Sequence, residues 1–128
     1  MSDLAKQLTV PCHMEFVRLS SYGDAQKSSG NVKPVDLTLP NLTGKDVLIV
    51  EDIVDTGLTL RFFLDYLASL HTPKSLKLAV LLDKKETRKE TVRMDFIGFE
   101  IENQFVVGYG LDDAGLYRNL PFIGYMEI

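Results

Sequence analysis

The 128-residue chain has a single cysteine, Cys12, no tryptophan and two histidines. One cysteine cannot form an internal disulfide, and it suits a reducing compartment, although Cys12 could still be a reactive thiol. His13 and His71 lie far apart, with no Cys/His spacing of a zinc site. The longest wholly apolar runs have four or five residues, far below the ~20 that span a bilayer, so we expect no membrane association.

The chain also lacks an excess of positive charge. Fourteen basic against 18 acidic residues give a formal charge of −4. A broad basic surface for a nucleic acid is therefore excluded, whereas a small phosphorylated ligand needs only a few amides and one or two cations. The first ten residues mix acids and bases without an apolar stretch, so we expect no secretory signal and a cytoplasmic location.

The overall composition is that of a folded globular chain. Hydrophobic residues make up 45% and charged residues 25%, which is too apolar for a disordered chain. No repeat of solenoid length and no long linker is visible. We therefore predict one domain over residues 1–128.

A strand, a helix and a second strand follow one another in the middle of the chain. Residues 46–50 (DVLIV) contain four consecutive apolar residues, which predicts a strand covered on both faces. Residues 76–82 predict a second buried strand. Between them lies an apolar helical face at spacing i, i+3, i+4 and i+7, formed by Leu60, Phe63, Leu64 and Leu67. Pro73 should end this helix, and the order implies a right-handed parallel crossover.

The flanking segments predict shorter elements. Residues 1–8 should be helical, residues 14–19 a strand and residues 20–31 a polar surface loop. Pro34 and Pro40 restrict residues 32–39 to an edge strand. After a charged connection, further strands are predicted at 96–101, 106–109 and 122–126. The fold class is thus α/β with a largely parallel sheet, in which ligands bind at the carboxyl ends of the strands.

The segment most suggestive of chemistry, EDIVDTGLT (residues 51–59), follows the 46–50 strand and leads directly into the helix. A tight turn at a helix start offers backbone amides and hydroxyls to a phosphate, and Gly57 lets the backbone come close. Glu51 and Asp52 would repel that phosphate, so they should face ribose hydroxyls or Mg²⁺.

A plainer interpretation makes Thr56 a helix cap and the two acids solvated residues at a strand end. The uninterrupted order of strand, acids, turn and helix favours the ligand site. Two other phosphate-binding motifs, GxxxxGK[ST] and a GxGxxG that follows a strand, are not found in the sequence.

Residues 47–60 (VLIVEDIVDTGLTL) resemble the phosphoribosyl-diphosphate (PRPP) binding motif of type I phosphoribosyltransferases. Further segments narrow the likeness to one family of these enzymes, namely MEFVRLSSYG, LLDK at 81–84 and DFIGFEI at 95–101. The segments FVVGYGLD and YRNLPFIGY are similar to the hypoxanthine-guanine phosphoribosyltransferases, especially the bacterial form. The resemblance extends from about Met1 to Tyr125.

The resemblance implies a type I phosphoribosyltransferase fold, with a mostly parallel twisted sheet flanked by helices. It implies transfer of the 5-phosphoribosyl group from PRPP to hypoxanthine or guanine, which yields IMP or GMP and pyrophosphate with Mg²⁺ as cofactor. Family members are usually dimers or tetramers, so a homodimer or homotetramer is expected.

The resemblance also implies roles for individual residues. The 5′-phosphate loop would be Asp55, Thr56, Gly57, Leu58 and Thr59, with Asp55 also taking the purine N7 proton. Ribose hydroxyls and Mg²⁺ would be held by Glu51 and Asp52. The purine side would comprise Lys84 at the 6-oxo group, Phe105 stacking on the ring, Val106, Val107 and Asp112, which would also be the metal ligand on the pyrophosphate side. Arg118 would meet pyrophosphate, and Ser21 and Tyr22 would begin a flexible lid.

Several of these residues also have plainer interpretations. Lys84 could be one of several solvated cations, residues 105–107 a strand of core hydrophobes, and residues 20–31 an ordinary surface loop.

The sequence departs from the family at two places. Asp113 stands where the family usually has tyrosine, beside the expected metal ligand. The chain also begins within the helix that should follow the first core strand, so that strand, the pyrophosphate loop and part of the hood are expected to be missing. Two interpretations remain: an active but shortened purine phosphoribosyltransferase, or a noncatalytic PRPP- or nucleotide-binding domain. The preference among hypoxanthine, guanine and xanthine is open.

Overall fold

The computed structural model describes residues 1–20, 33–36 and 38–127. The described elements are, in chain order, α1 (Ser2–Gln7), β1 (Arg18–Ser20), β2 (Lys33–Asp36), β3 (Asp46–Val54), α2 (Leu58–Leu70), β4 (Ser75–Asp83), a 3₁₀ turn (Lys85–Thr87), β5 (Phe96–Glu100), β6 (Phe105–Val107) and β7 (Gly124–Met126). The predicted loop at 20–31, with the lid residues Ser21 and Tyr22, lies outside the described residues except for its first residue.

The central sheet has the strand order β3-β4-β5. The Lys74 amide donates to the Lys45 carbonyl (2.9 Å) at the start of the first pair, and the Lys84 amide donates to the Val54 carbonyl (3.0 Å) at its end. Both strands therefore run in the same direction. β5 is also parallel to β4, with Val80 opposite Ile97. The predicted α/β class with a parallel sheet is confirmed.

The burial of these strands differs from the prediction. Residues 47–50 were expected to be covered on both faces, but Leu48 is 40% exposed and the others are only half-buried. In β4 burial alternates, since Leu78, Val80 and Leu82 are buried. All five residues of β5 are exposed. An apolar run predicts that a strand forms. Whether both faces of that strand are buried depends on the other elements that pack against the sheet, and the run itself contains no information about them.

The helix α2 follows its predicted pattern. It begins at Leu58 and ends at Leu70, three residues before Pro73, which cannot continue a helix. Its buried side chains are those of the apolar face, namely Leu60, Phe63 and Leu67. Arg61 and Asp65 pair on the exposed face with an Nε–Oδ2 distance of 3.0 Å. Hydrophobic periodicity alone thus located both the helix and its buried face.

Two short antiparallel pairs complete the described elements. β1 pairs with β2, and Arg18 lies opposite Asp36. The predicted strand at 14–19 is therefore wrong at its start, because residues 14–17 are not strand and the first residue with a partner on β2 is Arg18. β6 pairs with β7, and Val107 lies opposite Gly124.

The described chain forms two compact units. Residues 1–50 and 58–77 make up one unit, and residues 51–57 and 78–128 make up the other. In the described part of the chain, every helix is too short or too polar to cross a membrane.

The core contribution of α2 can be tested by a matched pair of substitutions. Leu67 is 2% exposed and Leu70, one turn along the same helix, is 56% exposed. Leu67→Ala should lower the free energy of unfolding by about 2–5 kcal/mol, because it removes buried methyl groups and leaves a cavity. Leu70→Ala should change it by less than about 0.5 kcal/mol. Urea unfolding measures both, and equal losses would contradict the assignment of the buried face.

Candidate active site

The turn between β3 and α2 requires a glycine. Gly57 has a φ of +81°, in the left-handed region that other residues rarely adopt. A Cβ at this position would lie 2.7 Å from the carbonyl oxygen of Glu90. The turn is therefore pressed against the chain that follows β4, and a side chain at position 57 would push the two apart.

Hydrogen bonds from that later chain hold three consecutive carbonyls of the turn. The Val54 carbonyl accepts from the Lys84 amide, and the Thr56 carbonyl accepts from the amides of Lys89 (2.9 Å) and Glu90 (3.0 Å). The Asp55 carbonyl accepts from Arg88 Nε (2.9 Å). We call residues 84–92 the support segment.

The support segment determines where the amides of the turn point. In a trans peptide the N–H points opposite to the C=O of the same plane. Because the carbonyls of residues 54, 55 and 56 face the support segment, the amides of residues 55, 56 and 57 are directed away from it. These amides stand at the start of α2, where the helix dipole also favours a negative charge. The turn can therefore receive an anion on the side opposite its support.

Glu51 and Asp52 lie just before this turn. They were predicted to follow the strand at 46–50, but β3 continues to Val54 and contains both. Burial, followed by the nearby charge of Asp52, raises the pKa of Glu51 to about 7. The Asp52 carboxylate also accepts from the Ile53 amide at 2.7 Å. The Glu51 carboxyl therefore tends to keep a proton, and a bound cation can take the place of that proton.

The carboxylates of Glu51 and Asp52 fit a magnesium ion whose remaining ligands come from a bound substrate. Carboxylate oxygens are the ligands that Mg²⁺ prefers, and the ion commonly uses one or two carboxylates together with substrate phosphates. Within the described ranges, no three or more His, Cys, Asp or Glu side chains form a metal-binding group. Glu51 and Asp52 therefore suit a shared metal site rather than an all-protein one.

Lys84 is buried, with only 8% of its surface exposed. Its carbonyl accepts from the Thr87 hydroxyl (3.1 Å), and its amide bonds to Val54 as described. The next residue, Lys85, is exposed and lies 3.8 Å from a Glu100 oxygen. The interpretation of Lys84 as a solvated loop cation is therefore wrong. Its backbone is held beside the turn by the bond to Val54.

The predicted purine-stacking strand is observed as β6. Phe105 is 41% exposed, Val106 is half-buried and Val107 is buried. Phe105 thus has an accessible ring, whereas Val107 belongs to the core. This pattern agrees with an aromatic that can face a ligand, although its role stays a prediction.

Asp112 and Arg118, which were predicted to have separate roles, contact each other. Arg118 Nη2 lies 2.8 Å from Asp112 Oδ1, and Arg118 Nη1 donates to the Gly110 carbonyl at 2.6 Å. The other Asp112 oxygen accepts from the Gly115 amide (2.7 Å). Asp113, the departure from the family, forms backbone bonds with Leu116 in the same turn. These contacts organise a loop, and a metal or pyrophosphate would have to exchange with them.

One ion pair beside the turn was not predicted from the sequence. Asp83, at the end of β4, is 3% exposed and forms an ion pair with Arg88. The charged stretch after β4 predicted only a solvated connection, since runs of charge normally face water. The one available signal was Asp83 itself, an acid that directly follows a buried apolar strand.

The fold is α/β, and the turn lies at the carboxyl end of a parallel strand, where sheets of this class bind their ligands. The sequence signature described as the phosphoribosyl transferase domain matches residues 1–114. The chain therefore belongs to the phosphoribosyltransferase family.

Individual proteins show which members of this family the chain is similar to. It is 46% identical over 127 residues to the hypoxanthine-guanine phosphoribosyltransferase of Bacillus subtilis, covering 99% of this chain and 70% of that protein. It is also 46% identical over 124 residues to the hypoxanthine phosphoribosyltransferase of Escherichia coli, covering 97% of this chain and 69% of that protein. The crystal structure of a hypoxanthine phosphoribosyltransferase from Staphylococcus aureus superposes with a TM-score of 0.89 at 40% identity, covering 98% of this chain and 68% of that one.

The close approach at Gly57 predicts a contrast with Gly44. Both glycines have positive φ, but a Cβ at Gly44 would meet nothing within 4 Å. Gly44→Ala should therefore lower the free energy of unfolding by about 1–2 kcal/mol, the conformational penalty alone. Gly57→Ala should lower it further, because the new methyl group meets backbone that cannot move freely. Chemical denaturation of both variants tests this, and the prediction fails when the two losses are the same.

The raised pKa of Glu51 predicts a pH dependence of stability. A carboxyl whose pKa rises on folding from 4.5 to about 7 stabilises the fold fully below pH 4.5, and this contribution is lost as the pH rises through about 7. Glu51→Gln removes the titration. The unfolding free energy of the wild type should therefore fall relative to Glu51→Gln across this window, measured by urea titrations at a series of pH values.

Asp46 supplies a control of opposite sign. Hydrogen bonds from Ser75 and Lys74 lower its pKa from 3.8, so its contribution is present above pH 3.8 and is lost as the pH falls further. Asp46→Asn should leave the pH 4.5–7 window unchanged. A Glu51→Gln profile parallel to that of the wild type throughout this window would show that Glu51 titrates normally.

Proposed function

We propose that this chain serves purine salvage by transferring the 5-phosphoribosyl group from PRPP to hypoxanthine or guanine, forming IMP or GMP and releasing pyrophosphate. The observation that carries the proposal is the turn at residues 54–57, whose carbonyls are held by the support segment and whose amides face away from it. The relatives named above carry the same activity in their names.

The phosphoribosyl half of the substrate fits the turn and the acids before it. Asp55, Thr56, Gly57, Leu58 and Thr59 hold the 5′-phosphate through amides and hydroxyls at the start of α2. Glu51 and Asp52 accept hydrogen bonds from the ribose hydroxyls and hold Mg²⁺. When bound, Mg²⁺ supplies positive charge to the departing pyrophosphate.

The base is recognised by the buried lysine and the exposed ring of β6. Lys84 donates to the purine 6-oxo group, and Phe105 stacks on the ring, with backbone of Val106 and Val107 at its polar edge. Adenine presents a 6-amino group, which would leave the ammonium of this largely buried residue without an acceptor on the base. The site therefore favours 6-oxopurines.

Asp55 is the proposed acceptor of the proton that leaves the purine base. Purine N9 forms the new bond to ribose C1′ as the bond from C1′ to the pyrophosphate oxygen breaks, and pyrophosphate leaves with that electron pair. The N7 proton becomes acidic as N9 is alkylated, and the Asp55 carboxylate accepts it. The transition state resembles an oxocarbenium ion, so water must be excluded, which is the role assigned to the lid that begins at Ser21 and Tyr22.

The loop containing Asp112 and Arg118 lies at the pyrophosphate side in this proposal. The Arg118 side chain is more than half exposed while paired with Asp112, so its planar donors can turn to an anion. Asp112 would then be one of the residues that hold Mg²⁺. Asp113 adds a carboxylate beside this position.

We further propose that residues 1–128 act as one phosphoribosyltransferase domain in a cytoplasmic homodimer or homotetramer, without a nucleic-acid partner. The competing function is a noncatalytic PRPP- or nucleotide-binding domain, which the same 5′-phosphate loop would also serve.

A steady-state assay of this chain separates the two functions. The reaction contains PRPP, Mg²⁺ and one of hypoxanthine, guanine, xanthine or adenine, and pyrophosphate release is followed. The proposal predicts release with hypoxanthine or guanine and none above background with adenine. Binding of GMP without pyrophosphate release from any base would instead establish the noncatalytic function.

The role of Asp55 predicts a separation between turnover and binding. Asp55→Asn keeps the side-chain volume and its oxygen acceptor but cannot take a proton, so kcat should fall by about 10²-fold or more while the GMP dissociation constant changes little. Asp65→Asn, on the exposed face of α2, is the matched control and should leave both unchanged. Similar losses of turnover and of GMP affinity in Asp55→Asn would assign Asp55 to phosphate binding or structure instead.

A further inference from the structure

We propose that Arg88 is a positioning residue that holds the 5′-phosphate loop in its binding shape without contacting the phosphate. The inference rests on the proposed function for the identity of the ligand. The inference is based on the hydrogen bonds of the Arg88 guanidinium to Val54, Asp55 and Asp83. All three partners belong to the same compact unit as Arg88.

The guanidinium joins the end of β3 to the end of β4. Its Nε donates to the Asp55 carbonyl at 2.9 Å, and its Nη2 donates to the Val54 carbonyl at 3.3 Å. The same Nη2 also donates to the Asp83 carboxylate. The Arg88 side chain is 16% exposed and that of Asp83 is 4% exposed, so these bonds form mostly out of water.

Burial explains why the guanidinium stays in this position. The Asp83 carboxylate has lost most of its hydration, and a buried charge is tolerated only when it is paired and hydrogen-bonded. Arg88 provides the opposite charge, and its planar fork leaves further donors aimed at the two carbonyls. The Asp83 carboxylate therefore fixes Arg88, and Arg88 fixes the peptide planes that follow residues 54 and 55.

These peptide planes carry the amides of Asp55 and Thr56. With the carbonyls held by Arg88, the amides point to the opposite side, where the proposed phosphate binds. The Thr56 carbonyl is held separately by the amides of Lys89 and Glu90. Loss of the guanidinium should therefore loosen the first part of the loop and leave the part at Gly57 supported.

Arg88→Lys is the most informative variant. Lysine keeps the positive charge for Asp83, but a single ammonium cannot reproduce the fork that reaches both carbonyls. Arg93→Lys is the matched control, because the Arg93 side chain is 86% exposed and makes a long ion pair with Asp95 (3.6 Å). A further variant, Asp83→Asn, keeps Arg88 but removes the charge that fixes it.

Two measurements on the full chain test the inference. The Lys84 amide, which donates to the Val54 carbonyl, should exchange its hydrogen at least about tenfold faster in Arg88→Lys. The amides of Lys89 and Glu90, which hold the Thr56 carbonyl, and those of residues 78–82 should exchange as in the wild type. The GMP dissociation constant from calorimetry should rise about 10- to 100-fold, which corresponds to a charge-assisted hydrogen bond. Asp83→Asn should show smaller changes of the same kind, and Arg93→Lys none.

Each outcome decides the inference. Unchanged exchange of the Lys84 amide, or unchanged GMP affinity when that exchange is faster, overturns the positioning role. Faster exchange throughout β4 as well would show that Arg88 serves global stability, and Asp83→Asn with a wild-type loop would show that the ion pair does not fix the guanidinium. Failure of the wild type to bind GMP contradicts the proposed function separately, while the exchange result still decides whether Arg88 holds the loop.

Discussion

The site depends on the attachment of the turn after β3 to the chain after β4. The carbonyls of residues 54–56 are all engaged by donors from residues 84–90, and Gly57 permits the close approach that these bonds require. The parallel pairing of β3 and β4 brings the two carboxyl ends together in the first place. Fixing the carbonyls fixes the amides, and with them the side of the turn on which an anion can bind.

Buried charge is the second common feature of the site. Asp83, Lys84 and Glu51 are each withdrawn from water to a different degree, and each is accommodated differently. Asp83 has a guanidinium partner, and Glu51 tends to retain a proton beside Asp52. Asp83 is therefore satisfied within the protein, whereas Glu51 can exchange its proton for a cation and Lys84 has the charge to bind an acceptor on a ligand.

The parts that sequence reasoning predicted correctly are those determined by local order. The apolar spacing of Leu60, Phe63 and Leu67 located the buried face of α2, because a helix repeats every 3.6 residues wherever it lies. The acids, turn and glycine of residues 51–57 are contiguous, so their joint placement at a strand end followed from the strand itself. The resemblance to the family then supplied roles that no local pattern contains.

The parts that were missed depend on residues that are distant in sequence or on unusual backbone. The exposure of Leu48 depends on which layers cover β3, which its own apolar run cannot report. The charged run after β4 gave no sign that Arg88 is half-buried, because its partners at 54 and 55 are more than 30 residues away. Asp112 and Arg118 meet across a turn in which Ala114 and Tyr117 adopt positive φ. Alanine and tyrosine rarely adopt this conformation, so the sequence does not predict the turn.

The central claim is that the turn after β3, held from behind by the support segment, receives the 5′-phosphate on its other side. Amide NMR of the ¹⁵N-labelled chain titrated with ribose 5-phosphate tests this most directly. The account predicts that the largest saturable shifts fall on residues 55–59, with little change in β6. Saturable binding whose shifts spare residues 55–59 would contradict it.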